Sequence, residues 1–141
     1  MKSIVLDTSA LFTLIENEPG VADIEHLIQE ALEERCRLYL SIVAEIELFY
    51  ISVQEQGEDI AKERLDLLND LPVHIMELAE DLVQTIGRIK SQYSMSFADC
   101  CIAGLAESLD AELVHKDPEY EQMSDRITLK PLPYKSTKNH T

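Results

Sequence analysis

Tryptophan is absent from this chain, and Phe, Tyr and Trp together make up only 6% of it. Its core must therefore be aliphatic, built from Leu, Ile, Val and Ala. No apolar run approaches the ~20 residues needed to span a bilayer, so no membrane span is expected. Cysteine is scarce too. Cys36, Cys100 and Cys101, the last two adjacent, give no disulfide framework and fit a reducing cytoplasm. No CxxC or paired Cys/His spacing suggests zinc, and the four His are scattered. The start, MKSIVLDTS, has one Lys and three apolar residues, which reads as a first strand and is too short for a secretory leader. Positive charge is the largest shortage: 12 Lys and Arg stand against 27 Asp and Glu, for a net charge of −15. The last twelve positions hold Lys130, Lys135 and Lys138 and no acid, leaving −18 on the body. No basic patch advertises a nucleic-acid binder. The acidic surface aids solubility or meets a basic partner.

What is present is alternation. At 141 residues the chain should form one domain burying roughly 70% of its unfolded surface. Short apolar runs at 2–6, 37–40, 72–76, 112–115 and 126–129 read as strands. Between them, apolar residues recur at helical spacing over 10–15, 21–35, 41–56, 60–71, 77–93 and 96–109, with Ser9 expected to cap the first helix. This predicts an α/β protein, a three-layer α/β/α sandwich around a mainly parallel sheet. The domain should span 1–130, with a flexible basic tail over 131–141.

Four acids fall where a strand stops or a helix begins: Asp7, Glu45, Asp99 and Asp117. Singly, each has an ordinary explanation. Ser96 to Asp99 fits a capping box, Asp117 before Pro118 is a normal helix start, Asp7 suits a turn, and Glu45 suits the positive end of a helix. Their settings argue otherwise. Glu45 lies among Ile42, Val43, Ala44, Ile46 and Leu48, and Asp99 among Phe97, Ala98, Cys101 and Ile102. Acids so embedded are paired or coordinate something, and no Lys or Arg lies within either segment. In open parallel sheets the ligand crevice lies beyond the carboxyl ends of the strands, where Asp7 and Asp117 are expected. Like charges ~5 Å apart repel by roughly 3 kcal/mol at an effective dielectric near 20. Such a pocket takes up protons or a hard divalent cation, Mg²⁺ or Mn²⁺.

The stretches IVLDTSALFTLIENEPG, LSIVAEIELFY, FADCCIAGLAESLDAELVHKD and PEY, in this order, resemble the PIN domain family, and within it the VapC type of toxin ribonuclease. The resemblance covers nearly all of the first 130 residues. It implies a Mg²⁺- or Mn²⁺-dependent endoribonuclease with Asp7, Glu45, Asp99 and Asp117 as metal-binding and catalytic acids. Glu119 falls at the position of a further acid, and Thr8 or Ser9 would orient ligands through hydroxyl bonds. It further implies an RNA substrate, a small cognate antitoxin and a homodimer. Where the family often carries Thr, two residues before the fourth acid, this chain has His115. Against the acidity, RNA would be held by Arg35 and Arg37, Arg88 and Lys90, or the tail lysines. Two other readings compete: a catalytically silent PIN-like scaffold acting through protein contacts, and a phosphoryl-transfer domain of the receiver or haloacid-hydrolase kind. The hydrolase kind wants Asp where Ser9 stands. The receiver kind wants a Lys after a late strand, and Lys116 is only near that place.

Overall fold

A computed structural model describes residues 1–135. Five strands form one sheet: β1 (Lys2–Leu6), β2 (Cys36–Ser41), β3 (Val73–Met76), β4 (Glu112–His115) and β5 (Thr128–Pro131). Their order is β3-β2-β1-β4-β5, and every pairing is parallel. Six α-helices connect them: α1 (Thr8–Ile15), α2 (Val21–Leu32), α3 (Ile42–Gln56), α4 (Glu58–Asn69), α5 (Val83–Gln92) and α6 (Phe97–Ser108). The result is the expected α/β/α sandwich. Ile4, Val5 and Leu6 are consecutive and all buried, which requires cover on both faces of the central strand. The aliphatic core runs from these residues through Leu38, Leu40 and Leu113 into the α6 run Cys100–Ala106.

Small residues set the helix packing. Gly104 of α6 faces Ile86 of α5 so closely that a Cβ there would lie 2.6 Å from Ile86 Cγ1. No helix among the described residues is long and apolar enough to cross a membrane.

Local boundaries differ from the sequence reading at several elements: α2 ends at Leu32 rather than at residue 35, and α4 spans Glu58–Asn69 rather than 60–71. Asp7, not Ser9, caps α1: its carboxylate accepts from the Ser9 amide at 3.1 Å, so the helix starts two residues early. The helix expected over 77–93 starts only at Val83, after a short 3₁₀ turn at Glu80–Leu82. β3 stays paired with β2 as far as Met76, and the chain must leave the sheet before it can coil; Leu78 is left 47% exposed rather than joining the stripe. The last strand lies two residues later than expected, because its partner register aligns Thr128 with Glu112 and Pro131 with His115. Of the tail expected over 131–141, Pro131 belongs to β5 and Leu132 is buried, its amide donating to the His115 carbonyl at 2.7 Å. Residues 136–141 lie outside the described residues.

Strand order fixes where a ligand crevice can open. The chain builds β1, β2 and β3 outward on one side, then returns to lay β4 and β5 on the other. The reversal falls between β1 and β4, and in such sheets it opens a crevice at the carboxyl ends of those strands.

Candidate metal centre

Asp7 leaves β1 directly into this crevice and is only 4% exposed. Its backbone amide donates to the Val114 carbonyl at 2.9 Å, continuing the β1–β4 pairing one residue beyond the strand. One carboxylate oxygen accepts from the Ser9 amide and, at 2.5 Å, from the Ser9 hydroxyl. The Ser9 oxygen in turn accepts from the Lys116 amide at 2.9 Å, so a single hydroxyl ties the end of β1 to the end of β4.

Asp117 follows β4 and caps the 3₁₀ turn Pro118–Met123 by accepting from the Glu119 amide at 2.9 Å. Its own amide donates to His115 Nδ1 at 3.0 Å, which places the ring hydrogen of a neutral His115 on Nε2. Burial holds the His115 pKa below its usual value, although the Asp7 and Asp117 charges pull it up.

Asp99 enters from the first turn of α6, whose cap is the Ser96 hydroxyl accepting from the Asp99 amide at 3.1 Å. Burial, together with the Asp7 and Asp117 charges, pushes Asp99 up to about 7. The link is Tyr120, fully buried, whose hydroxyl donates to Asp7 Oδ1 at 2.7 Å and lies 3.1 Å from Asp99 Oδ1. One hydroxyl hydrogen cannot serve both carboxylates, so both contacts are satisfied when one acid brings its own proton. Asp99 is that acid.

Oxygens of Asp99, Asp117 and Glu119 can all lie within 4.8 Å of one another. The donors are all hard oxygens. The buried cation nearby, Lys116, is committed elsewhere, to the Pro19 carbonyl at 2.8 Å and Glu18 at 3.4 Å. A carboxyl raised to about 7, clustered carboxylates and, among the described residues, no base paired with them fit a hard divalent cation. Asp7 adjoins this triplet through Tyr120.

Glu45 does not join them; the acid that does is Glu47. Its carboxylate accepts from the Thr8 hydroxyl at 2.7 Å and lines the same cavity, of about 510 Å³, as Asp99 and Asp117. Burial pushes Glu47 up against the restraining bond from Thr8, and the Asp7 charge adds to the rise. Two residues along a helix are ~200° apart around its axis, so when Glu47 faces the crevice, Glu45 cannot. Glu47, Ile51 and Glu55 line the cavity at four-residue spacing. That stripe was the available signal for the correct phase of α3. Tyr120 gave no signal beyond being an aromatic.

The bases expected to hold RNA are dispersed. Arg37 lies at the start of β2, at the far end of the strands from the crevice, with Arg35 just before it. Arg88 bonds to Gln84, and Lys90 to the Met95 carbonyl. Lys135 alone of these candidates lines the acidic cavity among the described residues.

The sequence matches the family model of the PIN domain over residues 4–125. This chain belongs to the PIN domain family. No curated protein matches the sequence itself. The PIN fold seen here is similar to that in VapBC2 from Rickettsia felis bound to a fragment of promoter DNA, with a TM-score of 0.77 and 16% identity over 93% of this chain and 99% of that one. DNA-bound VapBC from Salmonella typhimurium gives a TM-score of 0.77 at 18% identity, covering 93% and 98%. VapC20 of Mycobacterium tuberculosis, a toxin that cleaves the sarcin–ricin loop, gives 0.62 at 16%, covering 84% and 93%. At such identities the likeness is one of fold, and this PIN domain's chemistry has to be argued from its own residues.

Proposed function

We propose that this PIN domain is a divalent-metal-dependent endoribonuclease, the toxin of a type II toxin–antitoxin pair of the VapC kind. The observation that carries the reading is the convergence of Asp99, Asp117 and Glu119 at the reversal point of the sheet, with Asp7 joined to Asp99 through Tyr120 and Glu47 lining the same cavity as Asp99 and Asp117. Asp99, Asp117 and Asp7 would hold Mg²⁺ or Mn²⁺, with Glu119 at the exposed rim. When bound, the cation makes a water nucleophile available near neutral pH and offsets charge gathering on phosphorus.

The chain's own groups do the rest. Glu47, held by Thr8 and raised by burial, is placed to accept a proton from the attacking water. Ser9 fixes the Asp7 carboxylate, and Tyr120 keeps Asp7 and Asp99 at a set separation. His115 orients Asp117 by accepting from its backbone amide. A small antitoxin that brings a basic side chain suits the acidic crevice. Homodimer formation has apolar surface to draw on in Leu78, Val83 and Phe97, which are 47%, 58% and 61% exposed.

Purified protein incubated with mixed RNAs tests the reading. Cleavage should require Mn²⁺ or Mg²⁺, stop on chelation and be lost in Asp99→Asn. Activity surviving Asp99→Asn overturns the site; no cleavage by the wild type favours the scaffold alternative.

A further inference from the structure

The segment after β5 forms a wall of the acidic cavity. Leu132 is anchored to His115 through its amide, and Pro133 lies against Gly20, where a Cβ would meet Pro133 Cδ at 3.0 Å. This delivers Tyr134 and Lys135 to the cavity that also holds Asp99, Asp117 and Glu47. Tyr134 is 38% exposed, its ring 6.0 Å from that of His115. Glu121 faces its hydroxyl, and burial with that carboxylate pushes the phenol up to about 12, so it stays neutral at physiological pH.

Glu18 organises the charges at this rim. Lys116 Nζ, 2% exposed, meets one of its oxygens at 3.4 Å; Lys135 Nζ, 73% exposed, meets the other at 3.0 Å. The two lysines are not equivalent. Exposed pairs contribute little and exchange partners readily, whereas a buried ammonium keeps its partner. Lys135 can therefore leave Glu18 for an incoming anion, and Glu18 stays neutralised by Lys116.

We infer that the strap Leu132–Lys135 is the substrate-gripping element of this nuclease, with Tyr134 stacking a base of single-stranded RNA and Lys135 holding an adjacent phosphate. The inference rests on the ribonuclease reading and adds the element that engages the substrate. It also answers how a chain of net charge −15 holds a polyanion: a movable cation and a ring face stand beside the acids. A cavity of about 510 Å³ accommodates one nucleotide unit.

The test uses the full chain and a short fluorescent single-stranded RNA, with Asp99→Asn added for binding so that no cleavage intervenes. Tyr134→Leu should weaken binding roughly tenfold, and Tyr134→Phe should restore it. Lys135→Gln should lower the salt slope of log affinity by about one, while Lys130→Gln, outside the cavity, should leave it unchanged. In cleavage by otherwise wild-type protein these losses should appear in KM, with the Mn²⁺-induced rise in melting temperature intact. Wild-type affinity and KM in Tyr134→Leu and Lys135→Gln, or a loss confined to kcat, overturns the inference and leaves the ribonuclease reading standing. Absence of RNA binding and cleavage by the unaltered protein overturns both.

Discussion

Two glutamates two residues apart divide sharply in α3. Glu47 meets Thr8 and lines the cavity, and Glu45 does not line it. Glu47→Gln should lower cleavage and Mn²⁺ affinity by ~10–100-fold, the range expected for groups supporting a metal site. Glu45→Gln should stay within twofold of wild type, roughly the noise of such comparisons. Parallel RNA-cleavage assays and Mn²⁺ titrations check both; the reverse pattern would restore Glu45. The sequence located this acid to within two positions and went no further, for a physical reason. Ile42, Val43, Ala44, Ile46, Leu48, Phe49 and Ile51 are apolar nearly all round the helix, so no narrow apolar stripe sets its phase, and the four-residue spacing of Glu47, Ile51 and Glu55 was the one cue. Tyr120 was illegible for a different reason. A buried ring reads as packing, and only the fold reveals that its hydroxyl reaches acids 113 and 21 residues away.

At the scale of elements, strand–helix alternation placed every strand and the polar ends of the sheet, because an all-parallel sheet writes itself as short apolar runs separated by crossovers. The carboxyl ends of β1 and β4 were thus readable as the place of the crevice before any geometry. What alternation could not say was where α5 begins. Leu78, Leu82, Ile86 and Ile89 keep helical spacing, but pairing of β3 through Met76 keeps the backbone extended past the first of them. Packing of α5 on α6 gives a sharp test. Gly104→Ala drives a methyl into Ile86 and should destabilise the fold by about 1–3 kcal/mol. The same substitution should cost less in an Ile86→Ala background, which lacks the clashing Cγ1. Denaturant melts read the difference, and a Gly104→Ala melt equal to wild type would show that the helices separate freely.

Over the whole molecule the acids of the crevice make stability depend on pH in an unusual direction. Most native carboxylates lose stability on acidification. Asp99 is raised from its ordinary value to about 7, so between about pH 4 and pH 7 the folded metal-free protein binds more protons there than the unfolded chain. Its contribution therefore falls as pH rises through that window and is flat above it. The loss is on the order of 1–2 kcal/mol once solvent screening is allowed for. In EDTA, Asp99→Asn should melt at or above the wild type at pH 8, lack this slope, and lose the rise that Mn²⁺ confers. Thermal melts from pH 5 to 8 with and without Mn²⁺ decide it. A wild type and Asp99→Asn with parallel pH profiles would place the proton elsewhere.

The bond from Lys116 to Ser9 spans 107 residues, and that from Tyr120 to Asp7 spans 113. Nothing short of a chain that reaches from Asp7 to Tyr120 can therefore assemble the crevice. For the ribonuclease proposed above this is a safeguard in time: a growing polypeptide carries Asp7 through the synthesis of the next 113 residues without being able to use it. Under the ribonuclease reading, the ribosome and the message it reads face no working nuclease until Tyr120 has emerged and closed the site.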